Sequence, residues 1–293
     1  MNTNHTRSGF FFALSAYFIW GLLPLFWKLT EHISPVEVTV HRAFWSLPVA
    51  VVVCMVLGRT GDILPTLRSP RKLAILFVCS VLISLNWGVF IWAIAVDRVL
   101  ETALAYYINP LLSVALGIVI LGERFNRLQL IAIVFAALAV VMLTVLSGQF
   151  PWISLFLAVT FALYGLLRKT VDVGPTQGFL IEILLIFPFV AIYLAWLLVQ
   201  GSSALQMSNQ DAVLAALAGP ATAVPLILFA FGSKRLRLST LGLMQFIVPT
   251  LLFILSVFVF NEPLEQERLY AFIMIWIALA IYAWSLLKPA SNQ

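Results

Sequence analysis

Apolar residues fill this chain in windows of about 20, separated by brief polar punctuation, with none of the short alternating runs that barrel strands need. Ten such windows can be laid almost end to end: 8–29, 35–57, 73–96, 100–121, 128–147, 151–169, 176–199, 212–232, 238–260 and 268–287. Twenty residues at 1.5 Å per residue cover a hydrocarbon core of roughly 30 Å. Backbone amides cannot face lipid unpaired, so each window predicts a helix. The expected fold is an all-α membrane protein of ten transmembrane helices.

The pattern repeats. The stretch AYYINPLLSVALGIVILGE (105–123) returns at 244–262 as MQFIVPTLLFILSVFVFNE, with Pro110 and Glu123 answered by Pro249 and Glu262. A slide of about 140 also pairs Gly21-Leu-Leu with Gly165-Leu-Leu, Pro35 with Pro175, Arg98 with Arg237 and Leu130 with Leu269. Five windows fall in each half, and an odd number of crossings turns the second half upside down. The expected organisation is therefore two inverted five-helix repeats, 1–148 and 149–293. Pro110 and Pro249 each lack a backbone N–H and crowd the preceding turn, which makes them candidate hinges.

Composition agrees with a bilayer environment: of 293 residues, 62% are hydrophobic and 10% charged, with a mean hydropathy of +1.06. The basic residues set an orientation. Arg7, Arg59, Arg68, Arg71, Lys72, Arg124, Arg127, Arg168, Lys169, Lys234, Arg235, Arg237 and Lys288 share one side, and Lys28, Arg98 and Arg268 the other. The positive-inside bias places both termini in the cytoplasm. Retention of charge in loops accounts for the net +5, and no nucleic-acid partner is implied. The polar head MNTNHTRSG runs straight into a full-length window without a cleavage pattern, so no removable signal peptide is expected. Cys54 and Cys79 lie inside windows as packing residues, and neither a disulfide, a metal site nor a cofactor is expected.

Window 100–121 carries the clearest chemistry. At 100° per residue, Thr102, Tyr106, Asn109, Ser113 and Gly117 share one stripe, while Leu104, Ile108, Leu111, Ala115 and Ile118 share the opposite, lipid-compatible side. Such a stripe either lines a polar cavity or lets helices approach and bond; Ser113 and Gly117 fit the second reading. Arg42 and Glu182 are ionisable groups about seven residues inside windows 35–57 and 176–199, at positions that correspond under the repeat. Each is about 10 Å deep and their levels differ by a similar distance, so local partners are expected in place of a direct pair, with His41 facing away from Arg42. Glu182 is a candidate proton-coupling carboxylate or one half of a structural pair. Glu101 either attracts a cationic solute or stabilises a helix start. Glu123 and Glu262 are expected to anchor loops. Trp20, Trp87, Tyr107, Tyr164 and Phe246 stand at levels suited to an aromatic-lined cavity, and Asn86 beside Trp87 needs partners for a buried amide. No GxxxxGK[ST], HExxH or GxSxG occurs, which leaves secondary transport, not ATP-driven or enzymatic chemistry, as the simplest reading.

The segments AYFIWGLLP, HRAFWS, NWGVFIWA, LETALAYYINPL, ILGERF, LYGLLRK and RLRLSTLGLMQFIVPTLLF resemble the RarD proteins, a bacterial branch of the drug/metabolite transporter superfamily with EamA-type repeats. The resemblance runs through nearly the whole chain. It implies an inner-membrane location, a central cavity lined from both halves, and export of small metabolites, often amino acids or aromatic solutes. With the repeat, the chain is expected to be a proton-linked or facilitated exporter of small organic metabolites or drugs working by alternating access. The family motifs match Arg42, Asn86, Trp87, Glu101, Tyr107, Asn109, Glu123 and Gln245. With these, the expected substrate-binding residues are Trp20, Asn86, Trp87, Tyr106, Tyr107, Asn109, Tyr164 and Gln245; Arg42, Glu101 and Glu182 are expected in ion pairing or proton coupling. A non-transporting membrane scaffold and a lipid-moving protein are the alternatives.

Overall fold

The structure, a computed structural model, describes residues 3–95, 98–146, 150–259 and 266–287. Among them all regular structure is helical: α1 (Thr3–Lys28), α2 (Pro35–Val56), a 3-10 turn (Thr60–Asp62), α3 (Ile63–Leu67), α4 (Pro70–Ala95), α5 (Val99–Val119), α6 (Arg127–Leu146), α7 (Trp152–Thr170), α8 (Pro175–Val199), α9 (Ala204–Met207), α10 (Asn209–Ser233), α11 (Leu238–Met244), α12 (Ile247–Phe258) and α13 (Gln266–Leu287). Among the described residues eight helical stretches are long and apolar enough to cross a membrane, and two shorter apolar ones, Leu104–Val119 and Leu269–Ser285, occupy the fourth and tenth expected windows. Several starts are written in proline, whose missing N–H costs nothing in a first turn: Pro35 opens α2 and Pro175 opens α8.

One expected span is not a single helix. Window 238–260 divides into α11 and α12, with Gln245 and Phe246 between them. Pro249 stands four residues after Gln245, so the amide that would have bonded the Gln245 carbonyl is absent. That carbonyl accepts instead from Val248 N at 3.0 Å, and Phe246 N bonds Leu243 O at 3.2 Å, both with the tighter i to i−3 spacing. Pro110 has no such effect, because α5 continues through it.

The chain forms two compact units, and each draws on both halves of the sequence. The first joins Met1–Ile91 to Tyr164–Leu236, and the second joins Trp92–Leu163 to Arg237–Gln293. In the first unit α10 lies very close to α1 and α2: a Cβ on Gly219 would fall 2.4 Å from the Trp45 backbone, and one on Gly232 would fall 3.0 Å from Ala13 Cβ. In the second unit Ala132, Ala136 and Ala139 of α6 meet Ala271, Ile275 and Ala278 of α13. Both sets recur at i, i+4 and i+7, an alanine-rich seam that lets the helices approach and gain dispersion contact where lipid offers no hydrophobic drive.

The lipid-compatible side expected for α5 is corrected at its first turns. Leu104 and Ile108 are buried with Val140 of α6 and Ala158 of α7, and Leu111 packs beside them. Conversely Tyr106, placed on the polar stripe, is 40% exposed. A helix covered by neighbours on two sides buries apolar residues all round, so its periodicity does not report the direction of lipid.

Candidate functional site

The first unit gathers most of the expected charges. Glu182 of α8 and Arg168 of α7 form a buried ion pair, Arg168 Nη1 to Glu182 Oε1 at 3.2 Å, with the two residues 3% and 0% exposed. Tyr164 Oη, one turn before Arg168, donates to Glu182 Oε2 at 3.2 Å, and Ser80 Oγ of α4 donates to the Glu182 carbonyl at 2.9 Å. Arg168 Nη2 donates to the Pro175 carbonyl at 2.7 Å. The charge pattern of the sequence puts Arg168 among loop residues, yet the side chain is buried, and its burial depends on Gly178, where a Cβ would stand 1.9 Å from Arg168 Nη1. No signal in the periodicity marks that glycine as the hole an arginine fills.

At the ends of α7 and α10, lysines cap each other's helices. Lys169 Nζ donates to the carbonyls of Ser233, at 3.2 Å, and Leu236; Lys234 Nζ donates to those of Lys169, at 3.3 Å, and Val171. Cations at helix C-termini meet unsatisfied carbonyls and the negative end of the dipole. Burial and the neighbouring Arg168 bring the Lys234 ammonium down to about 8.

Arg42 finds its partners within the same unit. Its Nε donates to Thr222 Oγ1 of α10 at 3.0 Å, and its guanidinium lies 4.9 Å from the ring centres of both Trp27 and Trp87. Two aromatic faces suit a weakly hydrated guanidinium held away from water. His41 faces elsewhere, toward Glu37 Oε1 at 3.3 Å, an oxygen that also accepts from Ser203 Oγ at 3.0 Å and Ala204 N at 2.5 Å. Trp20 and Tyr164 flank Phe229 with ring centres at 5.7 and 6.4 Å. Asn86, next to Trp87 on α4, is half-buried.

Tyr106, Tyr107, Asn109 and Gln245 belong to the second unit. Asn109 is 7% exposed, and its Oδ1 accepts from Ser113 Oγ at 3.4 Å. Tyr107 packs edge-on to Phe272 at 5.7 Å. α11 meets α5 through Gly242, with no side chain of its own in the way: a Cβ there would lie 2.7 Å from Pro110 O and 2.8 Å from Ser113 Cβ. Ser113 and Gly117 thus serve close helix approach. After the turn at Gly122, whose φ of 64° favours glycine, Glu123 caps α11. Its Oε1 accepts from Leu238 N at 2.7 Å, and its Oε2 from Ser239 N at 3.1 Å and from Ser239 Oγ. Gln245 sits at the α11–α12 break, half-buried, and its Oε1 is buried with no hydrogen-bond partner among the described residues. The side chain of Glu101 and all of Glu262 lie outside the described residues. Among the described residues no group of three His, Cys, Asp or Glu side chains is placed to hold a metal ion.

Residues 7–145 match the EamA-like transporter family. The whole chain is similar to Protein RarD of Streptomyces exfoliatus, 40% identical over 291 residues that cover 99% of this chain and 92% of that one. It is also 40% identical to Protein RarD of Escherichia coli (strain K12), covering 96% of each, and 39% identical to the uncharacterized transporter YojE of Bacillus subtilis (strain 168), covering 98% and 97%. One crystal structure superposes on 98% of this chain and 100% of its own with a TM-score of 0.72 at 18% identity, a likeness of fold.

Proposed function

The chain belongs to the RarD family of EamA-like transporters, and on that premise we propose that it is a secondary transporter that exports small organic solutes by alternating access. In this reading ten helices cross the bacterial inner membrane as two inverted five-helix repeats, with both termini cytoplasmic. Solute contacts come from Trp20, Asn86, Trp87, Tyr106, Tyr107, Asn109, Tyr164 and Gln245, and Pro249 marks the moving element. The observation that carries the reading is the buried Arg168–Glu182 pair within apolar helices. Two charges removed from water cost several kcal/mol each before their attraction is counted, and apolar residues of similar size would pack there with less penalty. Ionisable groups kept in such a place mark solute or proton pathways by default. Glu182, with Tyr164 donating to it and Arg168 beside it, is the carboxylate that would exchange a proton as the solute moves.

The test is an untargeted comparison of solutes inside and outside cells that lack the protein or overproduce it. A compound that accumulates outside on overproduction and inside on deletion identifies the cargo and the direction. The reverse pattern means uptake. No change in any solute would remove the transport reading and favour a scaffold or a lipid-moving protein.

A further inference from the structure

The break between α11 and α12 holds an acceptor that no described residue uses. Gln245 Oε1 is buried without a hydrogen-bond partner among the described residues, in a side chain attached where the helix is interrupted. An amide oxygen takes up to two donors, and leaving it unpaired in a membrane helix is costly. Its neighbourhood can be placed from the α5–α11 contact. A Cβ on Gly117 would lie 3.4 Å from Ser239 N, and one on Gly242 would touch Pro110 and Ser113. The contacts descend α5 as they ascend α11, so the helices run antiparallel. One further turn brings Gln245 to the turn of α5 that carries Tyr106 and Asn109.

We propose that this break is a subsite for a neutral N–H donor, an amide or an aromatic N–H, accepted by Gln245 Oε1. The inference rests on the transport reading and narrows its substrate class. Donor chemistry follows from the acceptor: an oxygen buried without a partner discriminates strongly for a solute that supplies one and against an analogue that cannot. Neutrality follows from the surroundings. The second unit's one carboxylate with a described side chain, Glu123, is committed to the start of α11. That is seven residues, roughly 10 Å, from Gln245. A cation brought to the break would lose its hydration and gain no described counter-charge, whereas a neutral N–H exchanges one hydrogen bond for another.

The experiment uses the full-length protein in lipid nanodiscs and measures equilibrium binding of benzamide and N,N-dimethylbenzamide, which share a ring and a carbonyl but differ in N–H. Benzamide is expected to bind about tenfold more tightly, the ratio for one net hydrogen bond. In Gln245→Met, which keeps the side chain's length and removes its oxygen, benzamide should weaken to the level of the dimethyl compound, whose own affinity stays put. Gln245→Glu keeps an acceptor oxygen and should keep the preference for the N–H. Equal binding of the two amides to the parent, equal loss of both in Gln245→Met, or no binding of benzamide each overturns the proposal. The solute comparison in cells involves no change at residue 245, so it decides separately whether transport itself stands.

Discussion

At the scale of single residues, half of the Arg168–Glu182 site can be read in the sequence. An acid seven residues into an apolar window stands out, because nothing else in that window is charged. Arg168 does not stand out: it closes a helix beside Lys169, where basic residues ordinarily reach water, and only packing turns it inward over Gly178. The pair makes a mutational cycle informative. Arg168→Met alone, or Glu182→Leu alone, strands one buried charge and should cost about 3–5 kcal/mol. The double variant removes both charges, and its loss should be smaller than either single loss, an interaction detectable by denaturant unfolding of the purified protein. If the pair is kept for transport, the double variant should be folded and inactive. A folded double variant with full solute movement would assign the pair to structure alone.

At the scale of elements, helix positions follow closely from hydrophobic windows and proline starts. Window 35–57 becomes Pro35–Val56, and window 176–199 becomes Pro175–Val199, since length and apolarity are properties of the segment itself. The interruption at Gln245–Phe246 does not follow, because Pro110 and Pro249 occupy equivalent positions and only the second coincides with a break. What separates them is tertiary: α11 is fixed at its start by Glu123 and pressed through Gly242 onto α5. Pro249→Ala restores the amide that a continuous helix needs for the Gln245 carbonyl, so it should raise thermal stability while slowing solute movement. Pro110→Ala, within an unbroken helix, should change transport less. The check is the unfolding midpoint and initial flux of each variant in proteoliposomes; unchanged flux in Pro249→Ala would mean that the break itself does no transport work.

At the scale of the molecule, the repeat visible in the sequence and the compact units of the fold divide the chain differently. A repeat is a relation between similar segments, whereas a unit is defined by which segments bury one another. Nothing in periodicity reveals that α1, α2 and α4 pack with α8 and α10. The polar partners show how far the first unit depends on this exchange. Arg42 bonds Thr222, Glu37 bonds Ser203 and Ala204, His32 bonds Asp211 at 2.7 Å, and Ser80 bonds the carbonyl of Glu182. In the second unit Glu123 caps α11, and Gly242 receives Pro110. Each of these links one half of the sequence to the other. If 1–148 is made alone, Glu37 and Arg42 lose these partners while held by the apolar helix α2, where an unsatisfied polar group costs more than in water, and Glu123 loses the helix start that it caps. Neither 1–148 nor 149–293 should therefore accumulate when expressed separately, although each is one of the repeats expected from the sequence. Expressed together as two chains they should form a complex that copurifies and unfolds cooperatively, because each of these bonds forms without continuity at 148–149. Separate accumulation of a stable, monodisperse half would show that the repeat is itself a folding unit and that the exchanged partners add little to its stability.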